Sequence, residues 1–378
     1  MSLPGTGLRV AIVGGGFMAR VHSQAARAAG ATVVGVVGSS PESSRRAAAQ
    51  LGIERAFDDF DEMLAASDVD VVHVCTPNAL HAPQALAAIA AGKHVVCEKP
   101  LATTAEVSAA MVDAAEEAGV VATVPFVYRF HPLVREMRAR VRSGAVGDLL
   151  TVSGAYLQDW LGSATDDNWR VDPAIGGESR AFADIGSHLV DLLEFVTGDR
   201  VARIAAVKRT FFTERFEHST VSTEDAVALV METARGALGT ILVSQAAPGR
   251  KNRLTLEIAG TSSSAAFNQE RPEELWVGRR DGNAIVLRDP EHLSDDAARL
   301  SVVPAGHPQG YQDAFNAFVA DTYAAVAGAQ PEGLPRFSDG ARAATITESV
   351  MAAARSGAWV LIPPQEQDAA SRRSEAAA

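Results

Sequence analysis

Cysteine is scarce in this sequence, which contains two in 378 residues, Cys75 and Cys97. Two thiols without zinc spacing form neither a structural metal site nor a disulfide framework, so we expect a reducing compartment, the cytoplasm. No run of about 18 apolar residues is present to span a bilayer. The opening Met1–Gly7 also lacks the basic and apolar regions of a signal peptide. These absences exclude secreted disulfide scaffolds and predict no membrane partner.

Positive charge is also in short supply, with 34 Lys and Arg against 46 Asp and Glu, a net charge of −12. The longest basic runs are the pairs Arg250-Lys251 and Arg372-Arg373, so we expect no nucleic-acid partner. Neither H-E-x-x-H nor a carboxylate cluster with metal-ligand spacing occurs, and we expect no catalytic metal. The length predicts two domains, each with its own core.

The first third of the chain alternates short apolar runs with longer segments of helical spacing. The runs are apolar on both faces, as strands covered by helices must be; they are Arg9–Val13, Thr32–Val37, Val69–Cys75, His94–Cys97 and Val120–Val124. The Ala-rich segments between them are Phe17–Ala29, Pro41–Leu51, Phe60–Ala66, Leu80–Ala91 and Thr104–Ala118. This alternation predicts an α/β fold with a doubly wound parallel sheet.

A glycine motif of the form G-x-G-x-x-G/A follows the first predicted strand, in Gly14-Gly15-Gly16-Phe17-Met18-Ala19. Gly14 permits a tight turn, Gly16 lets a pyrophosphate approach bare backbone, and Ala19 lets the helix pack on the sheet. The N-terminus of that helix would face the anion. Its place in a repeating strand-helix unit predicts dinucleotide binding, with Gly14, Gly16, Phe17 and Met18 at the cofactor.

The end of the second predicted strand bears on the choice between NAD and NADP. An acid there would hold a ribose 2′-hydroxyl, but the sequence has Gly38-Ser39-Ser40-Pro41 instead. Ser39, Ser40 and Arg45 could hold a 2′-phosphate, which favours NADP slightly and leaves NAD open. A serine-rich helix start with solvated arginines is the other interpretation.

Four further motifs, in order, indicate a family. They are Cys75–His81 (C-T-P-N-A-L-H), Cys97–Leu101 (C-E-K-P-L), Phe126–Pro132 (F-V-Y-R-F-H-P), and Gly176-Gly177 followed by Asp184–Asp191 (D-I-G-S-H-L-V-D). With the glycine loop, they resemble the glucose-fructose oxidoreductase / inositol dehydrogenase / MocA (Gfo/Idh/MocA) family. Val127 stands where the family usually has Asn. The resemblance extends the cofactor assignment to Thr76, Pro77, Asn78, His81, Glu98, Lys99, Arg129, Trp169 and Arg170.

The resemblance also implies an architecture. We expect a Rossmann dinucleotide-binding domain in residues 1–126. Residues 127–364 would form an α/β domain for substrate binding and oligomerisation, with a large open, mixed, mostly antiparallel sheet. The polar residues 365–378 are expected to be a disordered tail. A broad sheet with apolar outer positions usually needs a cover, so we expect a homodimer or homotetramer.

The chemistry of alcohol oxidation selects three candidate catalytic residues. A nicotinamide reaction needs a group that takes the hydroxyl proton and a positive donor that holds the oxygen. Lys99 is the candidate donor, and the resemblance implies that it is catalytic and precedes a cis proline. Asp184 and His188 are four residues apart on one predicted helical face, where the carboxylate would orient the imidazole. His188 would then move the proton near neutral pH.

A mixture of aromatic rings and polar groups marks the predicted substrate pocket. Sugars present apolar C–H faces and many hydroxyls, which such a mixture suits. The candidate residues are Lys99, Tyr128, Tyr156, Gln158, Asp159, Trp160, Arg170, Asp184, His188 and Tyr311. The stretch Tyr156–Trp160 resembles one in the levoglucosan dehydrogenases of this family, although alternation along Val152–Gln158 also fits an ordinary strand. His22, His73 and the turn Arg250–Arg253 are interpreted as packing or solvated residues.

Three functions remain open from the sequence. The leading one is an NAD(P)-dependent oxidoreductase acting on a ring secondary alcohol or ketone of a sugar, inositol, anhydrosugar or glycoside. The family also contains redox-assisted glycosidases that oxidise, eliminate, add water and re-reduce, for example on sulfoquinovosides or N-acetylhexosaminides. A non-catalytic dinucleotide sensor is the third, and the presence of Lys99, Asp184 and His188 together argues against it.

Overall fold

The computed structural model describes residues 7–364, so Met1–Thr6 and the predicted tail 365–378 lie outside the described residues. Its first sheet is parallel, with strand order β2-β1-β3-β4-β5. These strands are β1 (Arg9–Val13), β2 (Thr32–Val37), β3 (Val71–Val74), β4 (His94–Cys97) and β5 (Ala122–Thr123). The chain order reverses between β1 and β3, the place where open α/β sheets bind ligands. The predicted doubly wound sheet is confirmed.

Helices alternate with these strands: α1 (Phe17–Ala28), α2 (Pro41–Leu51), α3 (Phe60–Ala65), α4 (His81–Ala90) and α5 (Ala105–Glu117). Three of them begin at side-chain caps, since Ser40, Asp59 and Thr104 accept hydrogen bonds from backbone N–H groups of the first turn. Helix α1 has no such cap, because Gly16 stands at its start. Its first N–H groups are left for another acceptor.

The second sheet has nine strands in the order β13-β12-β11-β10-β6-β9-β8-β7-β14. It is mixed, since β6 is parallel to β9 and the other neighbours are antiparallel. The strands are β6 (Leu149–Leu157), β7 (Val201–Arg209), β8 (Ala226–Thr233), β9 (Leu238–Ser244), β10 (Arg253–Gly260), β11 (Ser264–Asn268), β12 (Glu274–Arg279), β13 (Gly282–Leu287) and β14 (Val360–Leu361). The expected mixed, mostly antiparallel sheet is present.

Six helices belong to this second part of the chain: α6 (Pro132–Arg142), α7 (Pro173–Gly176), α8 (Ser187–Thr197), α9 (Asp295–Ala298), α10 (Tyr311–Val326) and α11 (Phe337–Ser356). Helices α6, α8 and α11 pack on one face of the sheet. On the opposite face, Val207, Val230, Leu238 and Leu242 are exposed. Within residues 7–364, helices therefore cover one face of the nine-stranded sheet.

Helix α10 returns to the first sheet. Its residues Phe315, Phe318 and Val319 are fully buried in a core shared with Val10 and Ile12 of β1. Helix α11 likewise packs against α5. The division expected at residue 126 separates the strands of the two sheets. However, α10 and α11, which lie after residue 126 in the sequence, pack on the first sheet and its helices. The domain boundaries themselves stay a prediction.

In residues 7–364, no helix is both long and apolar enough to cross a membrane.

Candidate active site

A cleft of about 1150 Å³ lies between the two sheets. Its floor is formed where β1, β3 and β4 end, so the loops after those strands all reach it. Residues from β6, its following loop and the start of α8 close the other side. The cleft therefore occupies the place that the strand order of the first sheet selects for a ligand.

The glycine loop forms one end of the cleft, lined by Gly14, Gly16, Phe17 and Met18. Gly14 has a φ of +109°, and a Cβ there would lie 2.7 Å from the carbonyl oxygen of Cys75. Only glycine fits that position without strain. Gly16 faces open space, and the uncapped first turn of α1 follows it. Bare backbone before a helix N-terminus suits a pyrophosphate, so these residues fit a bound dinucleotide.

The structure changes part of the assignment after β2. Ser39 lines the cleft as expected, but Ser40 caps α2 and its hydroxyl accepts a hydrogen bond from Ser43 N. Arg45 is exposed, 3.8 Å from Asp58, and does not line the cleft. Arg46 lines it instead. The helical period accounts for the exchange, because the cleft-facing residues Ser43, Arg46, Ala47 and Gln50 are three, four and seven residues apart.

The loop after β3 brings Thr76, Pro77, Asn78 and His81 to the cleft. Asn78 donates a hydrogen bond to the carbonyl oxygen of Gly176, at 2.8 Å, and so ties this loop to the glycine pair of the second part of the chain. The two ring nitrogens of His81 each lie 2.8 Å from a carbonyl oxygen, those of Pro100 and Thr76. The Nδ1 contact joins the loop after β3 to the loop after β4.

Lys99 and Asp184 form an ion pair at the other end of the cleft. Lys99 Nζ lies 2.6 Å from Asp184 Oδ1 and 3.0 Å from the Asp184 carbonyl oxygen. Each side chain is 13% exposed. Burial alone would raise the pKa of Asp184, but the charges of Lys99 and Arg170 hold that pKa well below its usual range. The Lys99-Pro100 bond is cis, as the resemblance implied.

Asp184 lies in a short π-helical turn, Phe182–Gly186. A buried carboxylate outside the cleft binds the start of this turn. The Glu224 carboxylate accepts hydrogen bonds from the backbone N–H groups of Arg180 and Phe182 and from the hydroxyl of Ser179. Glu224 is fully buried. A buried carboxylate that binds three donors fixes the segment from which Asp184 reaches the cleft.

His188 lines the cleft within a shell of aromatic rings. The ring centroids of Tyr128 and Phe126 lie 5.1 and 5.7 Å from that of His188. Burial, followed by the charge of Lys99, lowers the pKa of His188 to about 3. The imidazole is therefore neutral at pH 7, and the expectation of titration near neutrality is wrong for this environment.

The expectation that Asp184 orients His188 is also wrong. The Asp184 carboxylate accepts hydrogen bonds from Lys99 Nζ and, at 2.7 Å, from Gln245 Nε2. Among residues 7–364, His188 Nδ1 is buried without a hydrogen-bond partner. Four-residue spacing put the two side chains into one site, but Lys99 and Gln245 from other elements occupy the carboxylate.

A hydrogen-bonded group of side chains lines the cleft beside this cluster. Tyr128 and Tyr156 share a 2.5 Å hydroxyl contact, and the Tyr156 hydroxyl donates to Asn252 Oδ1 at 2.7 Å. Gln158 Nε2 donates to the same oxygen, and Trp160 Nε1 donates to Gln158 Oε1. These groups present rings and amides together, the mixture expected of the substrate pocket.

Three other predicted residues complete the lining. Arg170 lies with its guanidinium carbon 4.3 Å from the Trp169 ring centroid and its Nε 3.6 Å from Asp184 Oδ1. Tyr311, at the start of α10, lines the cleft near Tyr128. Glu98 lines it as well, and its carboxylate accepts a hydrogen bond from the Lys99 N–H at 3.1 Å.

Besides Ser40 and Arg45, two more predicted site residues do not line the cleft. Arg129 is buried behind the cleft, where its guanidinium donates to the carboxylates of Asp191 and Asp339. Asp191 ends the last of the four motifs and Asp339 lies outside them, and neither position indicated a pairing with Arg129, so a structural ion pair replaces the cofactor contact expected of Arg129. Asp159 accepts hydrogen bonds from Lys251 Nζ and Gly249 N and does not line the cleft.

Gln245, Asn252 and Arg46 were missed by sequence reasoning. Gln245 is fully buried at the end of β9, a polar residue after an apolar strand, and that contrast was the available signal. Asn252 lies in the turn before β10 that we interpreted as solvated. Both reach the site because β9 and β10 flank β6 in the sheet.

Among the described residues, one group has the ligand types and spacing for a metal ion: Asp289, Glu291 and His292. It is partly exposed and does not line the cleft. Exposed acidic groups of this kind are common, and this one bears no relation to the site.

Comparison with known families gives two matches along the chain. The model of an oxidoreductase family with an NAD-binding Rossmann fold, GFO_IDH_MocA, matches residues 8–126. The model of the GFO/IDH/MocA C-terminal domain matches residues 134–266. Together they cover two thirds of the chain.

Individual relatives match over nearly the full length. Levoglucosan dehydrogenase from Pseudarthrobacter phenanthrenivorans is 34% identical over 94% of this chain and 98% of its own length. A solved levoglucosan dehydrogenase in complex with NADH and levoglucosan has a TM-score of 0.88, 34% identity, and coverage of 94% and 99%. An inositol dehydrogenase homologue from Azotobacter vinelandii with NAD+ has a TM-score of 0.85 at 26% identity, covering 94% and 97%.

Proposed function

Since this chain belongs to the Gfo/Idh/MocA family of NAD-binding oxidoreductases, we propose that it is an NAD(P)-dependent sugar dehydrogenase. It transfers a hydride between the nicotinamide and a ring secondary alcohol, or reduces the matching ketone. The observation that carries the proposal is the Lys99–Asp184 ion pair beside a neutral His188, at the end of a cleft whose other end fits a dinucleotide.

The bound nicotinamide supplies the hydride acceptor, and the chain supplies charge and proton handling. Lys99 donates a hydrogen bond to the substrate oxygen and stabilises negative charge there as the alcohol is oxidised. Asp184, held by Gln245, keeps the Lys99 ammonium in place. His188 is neutral, so it has a lone pair that accepts the hydroxyl proton; because the pKa of the ring is low, the proton then passes to water, and in the reverse direction it is taken up from water.

The substrate we propose is a pyranose-like ring such as an anhydrosugar. The amides of Gln158 and Asn252 and the rings of Tyr156, Trp160 and Trp169 line the cleft next to Lys99. Amides form hydrogen bonds with sugar hydroxyls, and aromatic rings pack against the apolar C–H faces of a sugar. The similarity to a levoglucosan dehydrogenase over nearly the whole chain supports the same substrate class.

For the cofactor, we propose a preference for NADP that still allows NAD. Ser39, Ser43 and Arg46 line the cleft where the chain leaves β2, and none of the described residues that line this part of the cleft is acidic. A basic residue there accommodates a 2′-phosphate, whereas an acid would repel it. The similar solved structures contain NADH or NAD+, which is why NAD remains the alternative.

The glycosidase and sensor alternatives receive no support. The relatives named above are dehydrogenases, and no contact in the cleft favours glycoside cleavage over oxidation. The Lys99–Asp184 pair and His188 are assembled as an alcohol oxidation requires, which a sensor would not need.

We also propose that the protein forms a homodimer or homotetramer and acts in the cytoplasm. Val207, Val230, Leu238 and Leu242 form an apolar patch on the outer face of the second sheet. A second copy would cover it. Cys75 and Cys97 are free thiols, as a reducing compartment permits.

The test is a panel of sugars and polyols with NAD+ and NADP+, followed by absorbance of the reduced cofactor. Levoglucosan, glucose, xylose and myo-inositol, with a nitrophenyl glycoside, cover the relevant classes. We expect reduction of cofactor with a pyranose-like member. No turnover across the panel, or release of nitrophenol without accumulation of reduced cofactor, would overturn the proposal.

A further inference from the structure

A chain of four hydrogen-bonded polar side chains runs from the cleft into the protein interior. Glu98 Oε1 lies 3.0 Å from His22 Nε2, His22 Nδ1 lies 2.9 Å from His73 Nδ1, and His73 Nε2 lies 2.9 Å from the hydroxyl oxygen of Tyr323. His22, His73 and Tyr323 have no exposed surface, and Glu98 is 5% exposed. The four come from α1, β3, the end of β4 and α10, so the fold assembles them from distant parts of the sequence.

The acceptors in this chain decide where the protons are. A carboxylate can only accept, so His22 Nε2 carries a hydrogen and His22 Nδ1 of a neutral ring accepts. His73 must then donate from Nδ1, and its Nε2 accepts from the Tyr323 hydroxyl. Burial, with the neighbouring His22, holds the pKa of His73 well below its ordinary value, which agrees with a neutral ring. One proton arrangement thus satisfies all three contacts, with hydrogens on His22 Nε2, His73 Nδ1 and the Tyr323 hydroxyl.

This arrangement leaves Glu98 as the charged end. Burial would raise the pKa of the Glu98 carboxyl, but the hydrogen bond from His22 and the nearby charges hold that pKa below its ordinary value. Its other oxygen accepts from the Lys99 N–H at 3.1 Å. The chain ends at the buried Tyr323 hydroxyl, so it has no route by which to deliver protons from solvent. It acts as a fixed set of donors directed at Glu98.

The charges at this end of the cleft balance only when Glu98 is included. Lys99 and Arg170 are positive, and Asp184, within 2.6 Å of one and 3.6 Å of the other, is negative. Without Glu98 the group carries a net positive charge. The oxidised nicotinamide is a cation and the reduced ring is neutral, so the charge of Glu98 acts differently on the two forms.

We infer that His22, His73 and Tyr323 are positioning residues that keep Glu98 a fixed carboxylate, and that this buried charge makes the cleft discriminate in favour of the oxidised cofactor. The inference rests on the proposed function, in which the nicotinamide lies at the Lys99 end of the cleft. Sequence reasoning had interpreted His22 and His73 as packing residues.

The test measures dissociation constants for NAD+ and NADH, or for NADP+ and NADPH if only those bind, by calorimetric titration without substrate. His22→Leu removes the donor to Glu98, whereas His22→Gln keeps an N–H near the position of Nε2. We expect the ratio of the oxidised to the reduced dissociation constant to rise about tenfold in His22→Leu. The ratio should stay within about threefold of wild type in His22→Gln. Glu98→Gln should raise the ratio of the oxidised to the reduced dissociation constant about as much as His22→Leu does.

A merely structural role would weaken both cofactor forms equally and leave the ratio unchanged. An unchanged ratio in Glu98→Gln, or in folded His22→Leu, overturns the inference while leaving the dehydrogenase proposal intact. Wild-type protein that binds neither form overturns the proposed function itself.

If His22→Leu does not fold, the inference is tested by the dissociation constants of Glu98→Gln and by 15N NMR of the histidine rings in the wild-type protein. We expect the Nε2–H tautomer at His22 and the Nδ1–H tautomer at His73. A doubly protonated His22 ring would cancel the Glu98 charge and overturn the inference.

Discussion

The Lys99 ammonium is the group on which the proposed reaction most depends, and Lys99→Met removes its charge while keeping an unbranched side chain. In the structure Nζ makes two contacts with Asp184, at 2.6 and 3.0 Å, and the side chain is 13% exposed. The substitution therefore removes a positive donor from a nearly dry end of the cleft. The glycine loop at the other end is untouched.

The expected loss can be worked from these contacts. Removing one donor to a developing oxyanion in a water-poor site lowers kcat by about 100- to 1000-fold, about 3–4 kcal/mol. Lys99 is also the foremost charge that lowers the pKa of Asp184, so that pKa rises in the variant. The loss of the ammonium donor and the higher pKa of Asp184 both reduce stabilisation of negative charge on the substrate oxygen. We expect kcat at least about 100-fold lower, with the dissociation constant of the oxidised cofactor no higher than in wild type, because the substitution removes a positive charge from the end of the cleft proposed for the cationic ring.

Stopped-flow absorbance of the reduced cofactor gives kcat, and titration of the oxidised cofactor gives its affinity. Lys251→Met is the matched control, because Lys251 is 80% exposed and paired with Asp159 at the surface. Exposed pairs contribute about 0–1 kcal/mol, so this variant should keep wild-type kcat within about twofold. If Lys99→Met retains more than about a tenth of wild-type kcat, the assigned role of Lys99 is refuted.

Three further changes test other parts of the site. His188 has a folded pKa of about 3, below its unfolded value, so it favours unfolding increasingly as pH falls below about 6.5. In urea unfolding, the stability of wild type relative to His188→Gln should therefore drop by about 2 kcal/mol between pH 7 and pH 5, and a constant difference would contradict the buried neutral ring. Arg46→Ala should weaken NADP+ binding about tenfold and leave NAD+ binding unchanged, whereas Arg45→Ala should change neither; equal effects of the two in titration would contradict the placement of α2. Arg129→Met should lower the free energy of unfolding by about 3–5 kcal/mol, because Asp191 is left buried without its partner. A selective rise in cofactor KM at unchanged stability would instead restore the cofactor contact that the sequence predicted for Arg129.

The fold was predictable where local signals act alone. Helix α2 has the bounds predicted for it, Pro41–Leu51, because a serine cap and a proline mark its start and a glycine its end. Strand β5 is shorter than predicted, Ala122–Thr123 rather than Val120–Val124, since only those residues pair with β4. Periodicity identifies an element, and its partner decides how much of it is ordered as a strand.

The site was predictable in its motif residues but less so in their partners. Lys99, Asp184 and His188 line one cleft, yet Gln245 and Asn252 enter through strand neighbours that sequence spacing does not reveal. The low pKa of His188 arises from burial and from the charge of Lys99, and both depend on packing between distant segments that no local pattern reveals. Sequence thus identifies groups of the right chemistry, whereas tertiary packing determines their protonation.

The return of α10 to the first sheet has a consequence for folding order. Phe315 and Phe318 complete a core that includes Val10 and Ile12, which are near the start of the chain. During synthesis the first sheet therefore emerges long before the helix that covers one of its faces. The nucleotide-binding third should not be expressible as a stable fragment ending at residue 126, since that fragment would expose the surface that α10 buries. Fusions or truncations of this protein should keep the segment through α11 in the same polypeptide.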